Sequence, residues 1–260
     1  VRRLGAALLA LAGGALLPLC FPPLGWWPLT LVSIALLFVA IRGASARAAF
    51  YLGLLHGGVG YGLALCWLTR IFGTGAIALH AILGLFTALY CLLFRWLAKD
   101  TRSTAWQAML AAVLWTAIEF FRSELFALRF PWITPGTALG PTYLSPVLGV
   151  YGASFLMVAA AFALTRRRTL ALGICLSLVV LFLGMVRPGP VPTPTTDSLG
   201  VTVVQSEECF LSYYIALTQT ADKDKTDLVV WPEYALPYDV RQHPGDMTDL
   251  FDLFASMDCV

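Results

Sequence analysis

The sequence predicts a polytopic α-helical membrane domain of about seven transmembrane helices, followed by the start of an α/β domain. Of the 260 residues, 59% are hydrophobic and only 12% are charged, whereas soluble domains carry about 25% charged residues. Long apolar segments fill residues 1–187, a proline-rich linker follows at 188–199, and a strand–helix–strand pattern begins at residue 200. The composition therefore indicates a membrane protein with an additional unit at 200–260.

Seven apolar segments are long enough, or nearly so, to cross a bilayer, which takes about 20 residues as a helix. They lie at 4–21, 26–41, 48–69, 75–97, 104–121, 144–165 and 169–186. The first follows Arg2 and Arg3, as the apolar region of a signal peptide would. However, Leu19 is larger than the small residue that cleavage before Cys20 requires, so we interpret this segment as the first transmembrane helix.

The third segment is rich in glycine. Gly53/Gly57 and Gly58/Gly62 have the small-xxx-small spacing that lets two helices approach closely. We interpret these glycines as packing residues rather than as part of a binding site.

No metal, cofactor or redox site is predicted. His56 and His80 lie in spans without a second ligand-type residue at metal spacing, so we expect both to be packed or hydrogen-bonded. The six cysteines contain no C-x-x-C pair, which is the spacing typical of zinc and redox motifs.

Basic residues predict the orientation of the spans, because cytoplasmic loops are enriched in Lys and Arg. With the N-terminus inside, ten basic residues fall in inside loops: Arg2, Arg3, Arg42, Arg47, Arg95, Lys99, Arg102, Arg166, Arg167 and Arg168. Four fall outside: Arg70, Arg122, Arg129 and Arg187. Seven spans would then place everything after residue 187 outside, in a bacterial periplasm or its equivalent. The basic residues are scattered among short loops, so no nucleic-acid partner is predicted.

Residues 200–260 have the pattern of a βαβ unit with a parallel sheet. Residues 200–205 predict a strand, and the apolar residues between 210 and 221 recur at helical spacing. The apolar run 228–231 predicts a fully buried strand, which Pro232 ends because proline has no N–H to donate. A second amphipathic helix follows, with one face formed by Met247, Leu250, Phe251, Phe254 and Met257.

Glu233 directly follows this second strand. Open α/β sheets place their chemistry at the carboxyl ends of strands, and burial there would suit a carboxylate to act as a general base. The alternative is a solvated loop glutamate, and position alone does not decide between the two.

Several motifs, in order, resemble those of the apolipoprotein N-acyltransferases, a membrane-bound branch of the nitrilase superfamily. They are 21–26 (FPPLGW), 115–122 (WTAIEFFR), 129–132 (RFPW), 149–155 (GVYGASF) and 227–237 (DLVVWPEYALP). The resemblance covers nearly the whole chain, and seven spans before a periplasmic domain also match the family's layout. It implies that residues 200–260 begin a nitrilase-like αββα sandwich of the carbon–nitrogen hydrolase type.

The resemblance also implies a reaction in lipoprotein maturation. Such enzymes take an acyl chain from a phospholipid onto a cysteine as a thioester, and pass it to the amino group of the diacylglyceryl-cysteine that begins an apolipoprotein. The family's triad is Glu, Lys and Cys, of which only the Glu maps here, onto Glu233 as general base. The implied partners are the phospholipid donor, the apolipoprotein acceptor and membrane lipid, and the implied location is the bacterial inner membrane.

The sequence departs from the family pattern at several points. The family's Lys and Cys lie well downstream of the glutamate, whereas only 27 residues follow Glu233 here. Cys259 follows an amphipathic helix rather than a strand, so we interpret it as incidental. The family's G-N-x-x-Q is replaced at 206–210 (SEECF), and Arg129 stands where the family often has Gly. We therefore expect the chain to be an inactive fragment or a degenerate copy.

Four residues are candidates for facing substrate or lipid: Glu119, Arg122, Trp132 and Trp231. Ionisable residues at membrane depth favour a functional role. Glu119 and Arg122 are also three apart on one helical face, so the alternative is that they pair with each other. Trp132 is interpreted as an interfacial anchor, with a place at the acyl entrance as the alternative.

Two other classes of function compete with an acyltransferase. A transport or scaffold protein with a periplasmic cap should show internal repeats and midplane charges, whereas the charges here lie at the ends of spans. An amidase tethered to the membrane would need only a simple anchor, and not seven spans carrying family-like motifs.

Overall fold

A computed structural model describes residues 2–101, 103–143, 145–186, 199–206, 210–222, 225–232, 235–236 and 238–257. The chain divides into two compact units, residues 1–189 and 190–260. The predicted linker at 188–199 lies outside the described residues, apart from Leu199.

The first unit is helical. Its helices are α1 (Arg2–Leu16), α2 (Leu29–Ala40), α3 (Ala46–Ala64), α4 (Thr69–Phe72), α5 (Gly75–Leu97), α6 (Thr104–Phe120), α7 (Pro135–Leu139), α8 (Ser145–Leu164) and α9 (Leu170–Met185). Within the described residues, five helical segments are long and apolar enough to cross a membrane, and the α3–α4 pair, bent by 63°, makes a sixth if it is one span. Helix α2 is apolar but shorter. The helical membrane domain is confirmed, and the number of seven spans stays a prediction.

The first glycine pair of α3 packs closely against α5. A Cβ added at Gly53 would lie 2.7 Å from the carbonyl oxygen of Thr87, and one at Gly57 would lie 2.7 Å from the Thr87 hydroxyl. By contrast, a Cβ at Gly58 or Gly62 would meet nothing within 4 Å. The close approach predicted from the spacing is therefore made by Gly53/Gly57, and the Cβ positions of the second pair face open space.

This difference predicts opposite effects of the same substitution along one helix. Gly53→Ala should destabilise the protein by about 1–3 kcal/mol, because backbone must move to admit the methyl group. Gly62→Ala should leave stability unchanged or raise it by up to about 1 kcal/mol through helix propensity. Thermal unfolding of both variants in one detergent would test this, and an equal loss of stability in the two would contradict the packing described here.

The second unit contains a strand, a helix and a parallel strand, as the sequence predicts. Strand β1 (Val201–Val203) pairs in parallel with β2 (Leu228–Val230), and α10 (Leu211–Gln219) connects them. A small core joins Val204, Tyr214 and Ala235. The prediction of a fully buried second strand is wrong: Leu228 and Val229 are half-buried and Val230 is 40% exposed. In the described residues the sheet has two strands, which is too few to enclose either of them.

The helix predicted after Glu233 forms as α11 (Pro244–Met257), but its buried face differs from the predicted one. Leu253 is 3% exposed, whereas Phe251 and Phe254 are 62% and 55% exposed. Apolar residues lie on more than one side of this helix, so periodicity alone did not identify the side that packs.

Candidate functional site

Glu119 is buried near the end of α6 and is held by two neutral hydrogen-bond donors. The residue is only 4% exposed. Trp115, one turn earlier on α6, donates its indole N–H to Oε2 at 3.0 Å. Ser154, fully buried on α8, donates its hydroxyl to Oε1 at 2.8 Å. The carboxylate therefore ties α6 to α8.

Ser154 also connects this pair of helices to α7. Its Oγ accepts a hydrogen bond from the backbone N–H of Gly136 at 2.8 Å. A Cβ at Gly136 would overlap the carbonyl oxygen of Val150, so the close approach of α7 to α8 requires glycine at this position. Thr134 caps α7 with its hydroxyl and so fixes where the short helix begins.

Arg122 lies just beyond α6, in a π-helical turn formed by Phe121–Leu125. It is 4% exposed. Its Nη1 donates to the hydroxyl of Tyr61 at 2.6 Å, and its Nη2 donates to the backbone carbonyl of Trp132 at 3.1 Å. The guanidinium carbon also lies 5.5 Å from the centre of the Tyr61 ring, within the range of a cation–π contact.

Glu119 and Arg122 do not form the ion pair that their spacing favours. No nitrogen–oxygen distance between them falls within 4.0 Å, and each has its own set of neutral partners. A three-residue spacing places two side chains together only in a regular α-helix, whereas the chain changes from α-helix to π turn between these two residues. Two buried ionisable groups are therefore held separately at one end of the bundle.

The Nε of Arg122 adds a further donor. It is buried and has no hydrogen-bond partner among the described residues. Buried polar groups without a partner are uncommon and call for a specific explanation. An N–H of a cation that is left unpaired beside a cavity is suited to bind a phosphate or ester oxygen.

Two adjoining cavities lie beside these groups. The first is lined by Glu119, Arg122 and a largely apolar wall of Phe86, Tyr90, Trp115 and Ile118. The second extends toward Ser33 and His56, which lie within hydrogen-bonding distance of each other at 3.2 Å. Both cavities share the residues Tyr61, Thr87, Trp115, Ile133 and Pro135. A largely apolar lining with a few polar anchors is the composition typical of ligand sites.

The segment between α6 and α7 is strained where it borders the cavities. Ile133 has a φ of 58°, a left-handed conformation that is a clear outlier for a β-branched residue. Strain of this kind concentrates at ligand-binding and catalytic sites. The neighbouring Trp132 is 53% exposed and stacks on Trp67, with 6.4 Å between ring centres. Phe130 contacts Trp132 as well.

The other residues singled out in the sequence lie elsewhere: Glu233 and Trp231 belong to the second unit, and His80, in the first, does not line either cavity. Glu233 lies outside the described residues. Trp231 donates its indole N–H to Thr218 at 2.9 Å and packs against Tyr214, which favours a packing role within its own unit. The Nε2 of His80 lies 3.1 Å from the carbonyl oxygen of Leu65, within hydrogen-bonding distance. Both histidines are thus packed or hydrogen-bonded, as the sequence predicts.

The sequence did not identify Tyr61, Ser154 or Gly136 as site residues. Ser154 and Tyr61 are hydrogen-bonded to residues 35 and 61 positions away, and such distant contacts leave no periodic signal. One signal was available for Ser154, because it lies in the 149–155 motif. In the structure the 115–122, 129–132 and 149–155 motifs all contribute to the hydrogen bonds that hold Glu119 and Arg122.

Comparison with known proteins gives one consistent family. The family model described as "Apolipoprotein N-acyltransferase N-terminal domain" matches residues 13–163. The apolipoprotein N-acyltransferase of Pseudomonas paraeruginosa (strain PA7) is 33% identical over 265 residues, which cover 88% of this chain and 51% of the relative. The protein of that name from Azotobacter vinelandii (strain DJ) is 34% identical over 267 residues, which cover 88% and 51%. The chain spans about half the length of these curated relatives.

Proposed function

The chain belongs to the apolipoprotein N-acyltransferase family, and from that premise we propose that it forms the membrane half and the opening of the catalytic domain of such an enzyme. The enzyme transfers a fatty acyl chain from a phospholipid to the amino group of the diacylglyceryl-cysteine that begins an apolipoprotein. It lies in the bacterial inner membrane, with the N-terminus in the cytoplasm and residues after 187 in the periplasm. The asymmetry of basic residues supports this orientation.

In the proposed reaction, Glu233 is the general base. It removes the proton from a cysteine thiol, and the thiolate attacks the ester carbonyl of the phospholipid. The acyl C–O bond breaks, and the lysophospholipid leaves after its alkoxide takes the proton back from Glu233. The amine of the acceptor then attacks the thioester and the thiolate departs. The position of Glu233 directly after β2 and Trp231-Pro232 supports this role. The nucleophile and the lysine of the family triad have no counterpart at matching positions of this chain.

The membrane half has a separate role, which is to hold the phospholipid. Arg122 offers a buried cation for the phosphate or ester group, and Phe86, Tyr90 and Ile118 offer an apolar wall for the start of an acyl chain. Glu119 lines this space and ties α6, which forms part of its wall, to α8. The observation that carries the proposal is that Glu119 and Arg122, which line this cavity, are hydrogen-bonded to Ser154 and Trp132 of two further family-like motifs.

Photo-crosslinking tests whether phospholipid occupies the cavity. The chain, reconstituted with a phospholipid that bears a diazirine on one acyl chain, should be labelled on residues that line the two cavities. Ile118→Phe places a larger side chain in the first cavity and should lower this labelling several-fold. Peptide mapping by mass spectrometry gives the labelled positions and their yields.

Val113→Phe is the matched control. Val113 is also a β-branched residue on α6, but it is 50% exposed, so its replacement should leave labelling inside the cavity unchanged. Labelling confined to outward-facing residues such as Val113, or an equal loss in both variants, would argue against a lipid site here.

A further inference from the structure

Three arginines at the ends of three different helices converge at the other end of the helical bundle. Arg42 follows α2 and donates from Nη2 to the backbone carbonyl of Thr165. Arg95, near the end of α5, donates from Nε to the carbonyl oxygen of Ala44 at 3.0 Å. Arg166 follows α8 and lies with its guanidinium carbon 5.2 Å from the centre of the Phe162 ring. We call Arg42, Arg95 and Arg166 the arginine cluster.

The arginine cluster has little negative charge near it. The only acidic residues in 1–187 are Asp100, Glu119 and Glu124. Asp100 lies 3.9 Å from Lys99, with both side chains largely exposed. Glu119 lies 15 residues after the first residue of α6, which is roughly 22 Å along the helix at 1.5 Å per residue. Glu124 lies further along the chain and accepts a hydrogen bond from the Tyr151 hydroxyl. Among the described residues, no carboxylate pairs with the cluster.

The cluster is costly as it stands, because it brings like charges together where water is partly excluded. Arg95 and Arg166 are half-buried. Burial lowers the pKa of the Arg166 guanidinium, and the neighbouring charges of Arg42 and Arg95 lower it further. The Nε of Arg166 is buried without a hydrogen-bond partner among the described residues. An anion bound between the three guanidinium groups would offset their mutual repulsion and accept a hydrogen bond from the unpaired N–H of Arg166.

The surroundings indicate what kind of anion this is. Arg95 is two residues before the end of one candidate span, at Leu97, and Arg166 is two residues after the end of another, at Leu164. Trp96 and Leu97 beside Arg95 are 56% and 43% exposed. Exposed tryptophan next to arginine at the end of a span is typical of the headgroup level of a bilayer.

We propose that the arginine cluster binds the phosphate of an anionic phospholipid headgroup at this membrane surface. Guanidinium groups present planar pairs of N–H donors that match phosphate oxygens, and Arg42, just after α2, reaches the residue before Arg166 at the end of α8. This lipid site is distinct from the cavity beside Arg122, because the length of α6 separates the two. It does not depend on the proposed acyl transfer, and its role is to hold the α2, α5 and α8 ends together.

Native mass spectrometry of the chain in detergent, titrated with phosphatidylglycerol, tests the site. The wild-type chain should retain one phosphatidylglycerol at this site, besides any lipid held in the cavity beside Arg122, and Arg42→Gln/Arg166→Gln should weaken the binding of that one lipid at least about tenfold, because charge-assisted hydrogen bonds are lost. Arg167→Gln/Arg168→Gln removes the same charge from two adjacent exposed residues and should keep the retained lipid. An equal loss in the two double variants would overturn the proposal, because general attraction of anionic lipid to a basic surface would then explain the binding.

Two further arms complete the experiment. Arg42→Lys/Arg166→Lys keeps both charges, so it controls for a loss of folding in the Gln variant. It should bind the lipid more weakly than the wild type, because lysine lacks the paired donors. Wild-type affinity in this Lys variant would contradict a guanidinium-specific site. Inorganic phosphate in large excess should not displace the lipid, and displacement would show that the site takes free phosphate rather than a headgroup.

Discussion

Glu233→Gln is expected to lower acyl transfer by about 10²–10⁴-fold, the usual contribution of a general base. The experiment requires a polypeptide that extends this chain to the full length of its relatives, since the present sequence spans about half of them. The amide keeps the shape of the carboxylate but does not accept the thiol proton, so much less thiolate forms at neutral pH. Release of lysophospholipid and formation of the acyl thioester measure the effect.

The control separates catalysis from folding. Asp249→Asn neutralises an exposed carboxylate on α11 in the same unit, and it should leave the rate and the amount of protein in the membrane unchanged. A thiol-reactive probe should label the nucleophilic cysteine in the wild type and much less in Glu233→Gln at equal protein level. Thioester formation at the wild-type rate in the Gln variant would mean that Glu233 is not the base.

Hydrophobic patterning predicted the apolar membrane helices, but it did not indicate where a segment bends. The segment 48–69 was predicted as one span, whereas α3 ends at Ala64 and the chain turns by 63° before Phe72. Composition does not distinguish a straight apolar helix from a bent one, because both are apolar throughout. The parallel strand–helix–strand pattern was predicted correctly because it is local in sequence, while the exposure of β2 depends on what covers the sheet.

The candidate site was predicted in part for a related reason. Glu119 and Arg122 stand out in the sequence because charge is rare at membrane depth. Their partners are ordinary residues, a tyrosine and a serine, that become informative only once α3 and α8 are placed beside α6. The arginine cluster was not predicted for the same reason. Its three residues lie in three separate predicted inside loops and become neighbours only in the folded chain.

Arg122→Ala is expected to destabilise the membrane unit by about 3–5 kcal/mol. The substitution removes charge-assisted hydrogen bonds to the Tyr61 hydroxyl and the Trp132 carbonyl, each of which contributes about 1.5–3 kcal/mol. It also leaves the Trp132 carbonyl without this donor, and it loosens the strained segment that holds Ile133 at the cavity wall. Thermal and denaturant unfolding in detergent measure the change in the free energy of unfolding.

Two matched substitutions separate the position of Arg122 from its charge. Arg129→Ala removes a cation from the same loop, where the side chain is exposed, so it should change stability by less than about 0.5 kcal/mol. Arg122→Lys keeps the charge but replaces the planar guanidinium by a single ammonium, which does not reproduce both hydrogen bonds in this geometry. Its loss of stability should therefore lie between those of Arg122→Ala and Arg129→Ala. If Arg122→Ala were no more harmful than Arg129→Ala, Arg122 would not organise this end of the bundle. If Arg122→Lys kept full stability while photo-crosslinking by phospholipid fell, the guanidinium would serve the ligand rather than the fold.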